Sequence, residues 1–181
     1  APGVLFSGAF GAGKTLALCA KGLKLSTDYA GNFGLICRKT RNSLTHTALR
    51  TWWEKVCPRE LIASYNKTEG LLQLTNGSGI IFGGLDDPLK LGARELGWAA
   101  IDEAIETSQD DWSMLEGRLR LPGVPHQIFA ATNPGRPSHY LHRLFLQGAG
   151  QGYEVYQAGS LENPTLPPDY LARLSTFTGT Y

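Results

Sequence analysis

Cysteine is scarce in this 181-residue sequence, and Cys19, Cys37 and Cys57 are odd in number, far apart and in no CxxC pair. That usage suits a reducing compartment and argues against a disulfide framework or a zinc site. No apolar run approaches the ~18 residues of a membrane span. The longest greasy stretches, 79–82 and 98–101, have only strand length. No signal peptide precedes the first apolar segment. Repeats and low-complexity tracts are missing, and 42% hydrophobic with 18% charged residues excludes disorder, collagen and coiled coil. His46, His126, His139 and His142 have no metal-ligand spacing and read as structural. An initiator Met is also missing, since the chain opens Ala1-Pro2-Gly3, so an excised piece of a longer protein is expected.

A dominant charge is absent too: the net value is +1. Its distribution says more. Residues 1–60 hold 9 basic and 3 acidic groups, 61–116 hold 3 and 10, and 117–181 hold 5 and 3. A basic first third beside an acidic middle suggests a phosphate-facing surface and a metal-facing one, although solvated faces alone produce the same split.

Hydrophobic patterning alternates strands with helices. Strands are expected over 3–7, 33–37, 98–101, 127–131 and 153–157. Helices are expected over 14–29, from Asn42 or Ser43 to a stop at Pro58, and over 110–120, 138–146 and 169–176. Segments 70–74 and 79–82 flank Asn76-Gly77, a strong hairpin signal. Only one of the adjacent Trp52 and Trp53 can face a core. The expected fold is a layered α/β domain with a mainly parallel central sheet and one antiparallel hairpin excursion.

Gly8-Ala9-Phe10-Gly11-Ala12-Gly13-Lys14-Thr15 matches G-x-x-x-x-G-K-[ST], with an apolar strand entering and a helix leaving. Glycines let backbone N–H groups turn around a phosphate, and the new helix aims its positive end at the same charge. Lys14 is then placed for the β- and γ-phosphates of a nucleotide and Thr15 for Mg²⁺. Asp102-Glu103 ends the strand Trp98-Ala99-Ala100-Ile101, where parallel sheets bind ligands. Asp102 becomes the Mg²⁺ partner opposite Thr15, and Glu103 the base for an attacking water. Thr132-Asn133 ends the next strand and can report the γ-phosphate if that strand adjoins the acidic one; an Asx turn before Pro134 reads equally well. Arg38, Lys39 and Arg41 could bind DNA phosphate, sense nucleotide or simply be solvated. Arg94 could reach a neighbouring subunit's nucleotide as an arginine finger, or be a surface residue beside Glu95.

The order of motifs resembles the ATPase domain of the terminase large subunit, the DNA-packaging motor of tailed bacteriophages and prophages. After the phosphate loop and Arg38-Lys39 come Asn76-Gly77-Ser78-Gly79-Ile80-Ile81-Phe82-Gly83-Gly84-Leu85-Asp86-Asp87-Pro88, then Asp102-Glu103-Ala104, Ala131-Thr132-Asn133-Pro134, His139 and Leu161-Glu162-Asn163-Pro164. The resemblance implies a three-layer P-loop NTPase of the additional-strand type that hydrolyses ATP with Mg²⁺ in the host cytoplasm, at the portal vertex of a procapsid. Its implied partners are double-stranded DNA, the portal protein, the small terminase subunit and copies of itself in a ring, a pentamer; no membrane is involved. It further implies that Thr132 and Asn133 couple hydrolysis to DNA movement, and that Arg94 lies near a trans-acting arginine.

Three departures stand out. Many such proteins carry an Arg inside the phosphate loop where this sequence has Phe10. Their adenine-binding segment lies upstream of the first strand, and their nuclease domain would follow Tyr181. The expectation is an N-terminal ATPase fragment over 1–181 without nuclease activity. Two alternatives compete: a helicase-like lobe of another DNA-dependent ATPase, and a nucleotide-binding assembly module without turnover. Retained Glu103 speaks against the second.

Overall fold

The computed structural model describes residues 3–86, 94–147, 152–167, 169–170 and 172. Among the described residues, eight strands form one sheet: β1 (Gly3–Gly8), β2 (Phe33–Arg38), β3 (Ile62–Asn66), β4 (Leu71–Leu74), β5 (Gly79–Gly84), β6 (Trp98–Ile101), β7 (Gln127–Thr132) and β8 (Tyr153–Ala158). Their spatial order is β3-β4-β5-β2-β6-β7-β1-β8. The six from β5 to β8 in that order pair parallel, while β3-β4 and β4-β5 pair antiparallel. Near-continuous burial of β2, β5, β6 and β7 fits a parallel sheet covered on both faces.

One face packs on α1 (Lys14–Asp28), whose buried Leu18, Cys19, Gly22, Leu25 and Ser26 recur at helical spacing. On this face Trp98 is fully buried, stacks on Phe129 at 5.7 Å and donates from Nε1 to Ser26 Oγ at 3.2 Å. The indole lies directly over Gly34 of β2 and under Gly22 of α1; a Cβ on Gly34 would come within 1.9 Å of it. Truncating an aromatic of this kind typically costs ~3–5 kcal/mol. The opposite face packs on α4 (Gln109–Glu116) through Trp112 and Leu115, joined by Tyr140, Leu141 and Phe145.

The expected hairpin at Asn76-Gly77 is present as β4-β5. Asn76 Nδ2 and buried Ser78 Oγ both donate to Ser26 O, at 2.8 and 2.7 Å, so this turn also fastens the end of α1. The hairpin carries a further edge strand, β3, that the sequence reading does not contain.

The helix expected from Asn42 or Ser43 to Pro58 is in fact three pieces: α2 (Arg41–Thr45), α3 (Ala48–Thr51) and a π-type turn over Trp52–Val56. Its cap is Thr40, whose side chain accepts from Ser43 N. The break falls at His46-Thr47, where Thr45 and Thr47 hydroxyls bond back to the carbonyls of Arg41 and Ser43 and Thr47 leaves helical geometry. Trp52 is fully buried and Trp53 is exposed. The helix expected over 110–120 ends at Glu116, and Leu119 bridges Leu96 instead. That expected over 138–146 is mostly a π-type turn, His142–Gln147. Of the helix expected over 169–176, only residues 169, 170 and 172 are described; Asp87-Pro88 and the segment to 93 also lie outside the described residues. No helix among the described residues is long and apolar enough to cross a membrane.

Candidate nucleotide site

The loop between β1 and α1 sits at the C-terminal edge of the parallel strands, where their tips converge. Gly13 caps α1 with φ 81°, a left-handed conformation open to glycine at little cost, and this turns the chain from loop into helix. Lys14 Nζ folds back over the loop, donating to Gly8 O at 2.8 Å and Ala9 O at 2.7 Å, and to Asn133 Oδ1 at 2.9 Å. Burial pulls the Lys14 ammonium below the usual lysine range, opposed by the carboxylates of Glu103 and Asp102.

Thr15 Oγ1 donates to Asp102 Oδ1 at 2.9 Å. Asp102 is 1% exposed, and its other oxygen, Oδ2, is buried with no hydrogen-bond partner among the described residues. An orphaned carboxylate oxygen of this kind calls for a cation or donor to face it. Glu103 follows with φ 49°, the one non-glycine residue among those described with positive φ. Burial and then the Asp102 charge push its carboxyl above the usual range, while Arg38 and Lys14 pull it down.

The strand that ends in Thr132 lies between β1 and β6, hydrogen-bonded to both. The condition set for Thr132-Asn133 is therefore met. Asn133 reaches Lys14, whereas Thr132 Oγ1 turns to its own neighbour, donating to Asn133 O at 3.0 Å. At the tip of β2, Arg38 makes a two-point contact with Glu106 at 2.9 and 3.1 Å, and Lys39 pairs with Asp111 at 2.9 Å. Asp111 also accepts from Ser108, completing a capping box at the start of α4. Two of the three basic residues are thus paired with acids, while Arg41 donates to the carbonyls of Lys67 and Thr68 at 3.0 and 2.9 Å. Arg94 is not gathered with these residues: its guanidinium lies 5.2 Å from the Phe33 ring centroid, at the N-terminal end of β2. Among the described residues, no three His, Cys, Asp or Glu side chains are grouped to hold a metal ion.

Sequence reasoning did not find the partners of the loop's outer rim. Ser160 Oγ donates to Phe10 O and Asn163 Nδ2 to Gly11 O, each at 2.6 Å. Only the presence of Asn163 in a motif pointed that way, since residues some 150 apart share no periodicity.

A phosphate-loop strand and an acid-tipped strand, separated by one strand ending in a polar pair, define the additional-strand class of P-loop NTPase folds. The phage terminase large subunit family profile matches residues 3–178, and the chain belongs to that family. The helicase-like alternative falls with that assignment. The chain is 34% identical over 77 residues to the PBSX phage terminase large subunit of Bacillus subtilis (strain 168), a match covering 42% of this chain and 18% of that protein. Its fold is similar to the large terminase of a thermophilic bacteriophage, with a TM-score of 0.85 at 16% identity. That match covers 96% of this chain and 44% of the thermophilic phage protein. The same phage protein in complex with ATP-gamma-S gives 0.75, and in complex with ADP 0.81. The chain therefore spans less than half the length of these relatives.

Proposed function

We propose that this chain is the N-terminal ATPase domain of a terminase large subunit and hydrolyses ATP to drive double-stranded DNA into a procapsid. The observation that carries this reading is the convergence of Lys14 and Thr15, at the start of α1, with Asp102 and Asn133, just past the ends of β6 and β7, on one loop. Complexes of a structurally similar terminase with ATP-gamma-S and ADP support it.

In this reading Gly8, Ala9, Phe10, Gly11, Ala12 and Gly13 offer backbone N–H groups to the phosphates, and the Lys14 ammonium neutralises the β- and γ-oxygens. Thr15 and Asp102 hold Mg²⁺, a fit supported by the orphaned Asp102 Oδ2 beside the Thr15 hydroxyl. When bound, the ion neutralises charge on the phosphates. Glu103 accepts a proton from water as its oxygen attacks the γ-phosphorus in line, and the bond to the β-phosphate oxygen breaks to leave ADP. Asn133, tied to Lys14, passes loss of the γ-phosphate to β7. Arg94 serves a neighbouring copy in a homo-oligomeric ring; the portal protein and small terminase subunit are the other partners.

Equilibrium binding of ATP-gamma-S tests the site. Affinity is expected to fall at least ~10-fold in Lys14→Ala and to depend on Mg²⁺. Equal affinity in the two proteins would contradict the phosphate-loop reading. For Arg94, inactive Arg94→Ala subunits mixed with Glu103→Gln subunits should regain turnover; no recovery removes Arg94 from the shared site.

A further inference from the structure

We infer that Ser160 and Asn163 are positioning residues that hold the phosphate loop in its anion-binding shape, an assignment that rests on the nucleotide-site reading above. In a planar trans peptide, C=O and N–H point in opposite directions. A loop that turns its amides inward must therefore turn the preceding carbonyls outward, and each outward carbonyl needs a donor. Ser160 Oγ fixes Phe10 O, which aims the Gly11 amide away from Ser160; Asn163 Nδ2 fixes Gly11 O, which aims the Ala12 amide away from Asn163. The Ala12 amide donates to Ala9 O across the loop at 3.3 Å, a bond that a bound phosphate oxygen would replace.

The strap is itself braced. β8 runs beside β1 up to Gly8–Ala158, which brings the chain to the loop. A one-turn 3₁₀ segment, Ser160–Glu162, then follows, closed by Glu162 Oε2 accepting from Gly159 N at 3.0 Å. Ser160 is 8% exposed. The Asn163 amide cannot flip without loss, because its Oδ1 accepts from Thr165 N at 3.1 Å and Thr165 Oγ1 at 2.8 Å, leaving Nδ2 for the loop. Leu166 then lies against Gly11, its Cδ1 3.1 Å from where a Cβ would stand. Lys14 and Asn133 hold the inner side of the loop; Ser160, Asn163 and Leu166 hold the outer side. This outer clamp acts on the loop through the backbone carbonyls of Phe10 and Gly11.

The test titrates the 181-residue chain with ATP-gamma-S and Mg²⁺, checking each variant's fold by circular dichroism. Ser160→Ala and Asn163→Ala are each expected to weaken binding about 2–10-fold, the loss of one hydrogen bond, and the double variant further. Ser160→Thr, which keeps the hydroxyl donor, should stay within about twofold of wild type. If Asn163→Ala does not fold, exposed Thr165→Val carries the test by removing one of the two bonds that orient the Asn163 amide, with about a threefold loss expected and an unchanged affinity counting against the assignment. Affinities within twofold of wild type in the Ala variants and their double, or equal weakening in Ser160→Thr and Ser160→Ala, overturn the assignment. A wild-type chain that ignores nucleotide, or a Lys14→Ala variant that binds as wild type does, instead overturns the underlying site and the strap with it.

Discussion

Lys14 and Asn133, 119 positions apart, are joined by a 2.9 Å hydrogen bond between the ammonium and the side-chain carbonyl oxygen. The bond crosses from the phosphate loop to the tip of β7, the strand wedged between those carrying the loop and Asp102-Glu103. A change at the lysine therefore reaches the middle of the sheet in one step. Asn133→Ala is expected to lower kcat by ~10-fold or more while KM stays within ~3-fold, because the contact orients Lys14 rather than supplying binding charge. Steady-state kinetics decide; a rise in KM alone would make Asn133 a binding residue.

In the proposed function, Glu103 trades stability for chemistry, since its backbone sits at φ 49°. A non-glycine residue in the left-handed region carries roughly 1–2 kcal/mol of strain. Glu103→Gly is expected to be more stable by about 1 kcal/mol, or roughly 2–4 °C in Tm, while losing turnover. A fall in Tm would show that the carboxylate supports the fold.

The acid limb of the kcat–pH profile should lie above the usual carboxylate range near 4.5, because burial and Asp102 push Glu103 upward. The base must be ionised, so turnover is lost as pH falls through that raised value. Arg38→Gln removes a charge that favours the ionised form, and the limb should move to higher pH. For stability the sign runs the other way. A raised folded value gives stability that is full below the unfolded pKa and lost as pH rises through the folded one. Glu103→Gln should thus match wild type in acid and exceed it at neutral pH, as thermal melts across pH can show.

The alternation of strand and helix, the Asn-Gly hairpin and the convergence of Lys14, Thr15 and Asp102 were legible because each rests on a short-range signal. Loop glycines, the helix that follows them and an acid at a strand tip all announce themselves locally. Edge strand β3 was not legible: Ile62–Asn66 is largely exposed and carries only a short, weak alternation. Nor was the break at Thr47, where hydroxyls compete for helix carbonyls. Arg38 and Lys39 could not be assigned from sequence because their partners, Glu106 just beyond the adjacent strand β6 and Asp111 on α4, lie 68 and 72 positions away in the chain. The clamp by Ser160 and Asn163 depends wholly on β8 pairing with β1.

Gly34 tests the packing that positions the site. Its missing side chain is the space the Trp98 indole occupies, and Trp98 starts the strand that ends next to Asp102. Gly34→Ala is expected to destabilise by at least ~2 kcal/mol, near the middle of the range for overpacking a core. Urea denaturation measures it, and a loss under about 0.5 kcal/mol, the ordinary surface value, would refute the close packing.

The most direct test of the account is steady-state phosphate release from ATP against protein concentration, with and without double-stranded DNA, using Glu103→Gln as the blank. Turnover is expected to rise with concentration or DNA and to fall at least ~100-fold in the variant, which still binds ATP. Glu103→Gln turning over within a few-fold of wild type would contradict it. So would a wild-type chain that binds ATP yet releases no phosphate at any concentration or with DNA, which would leave a nucleotide-binding assembly module.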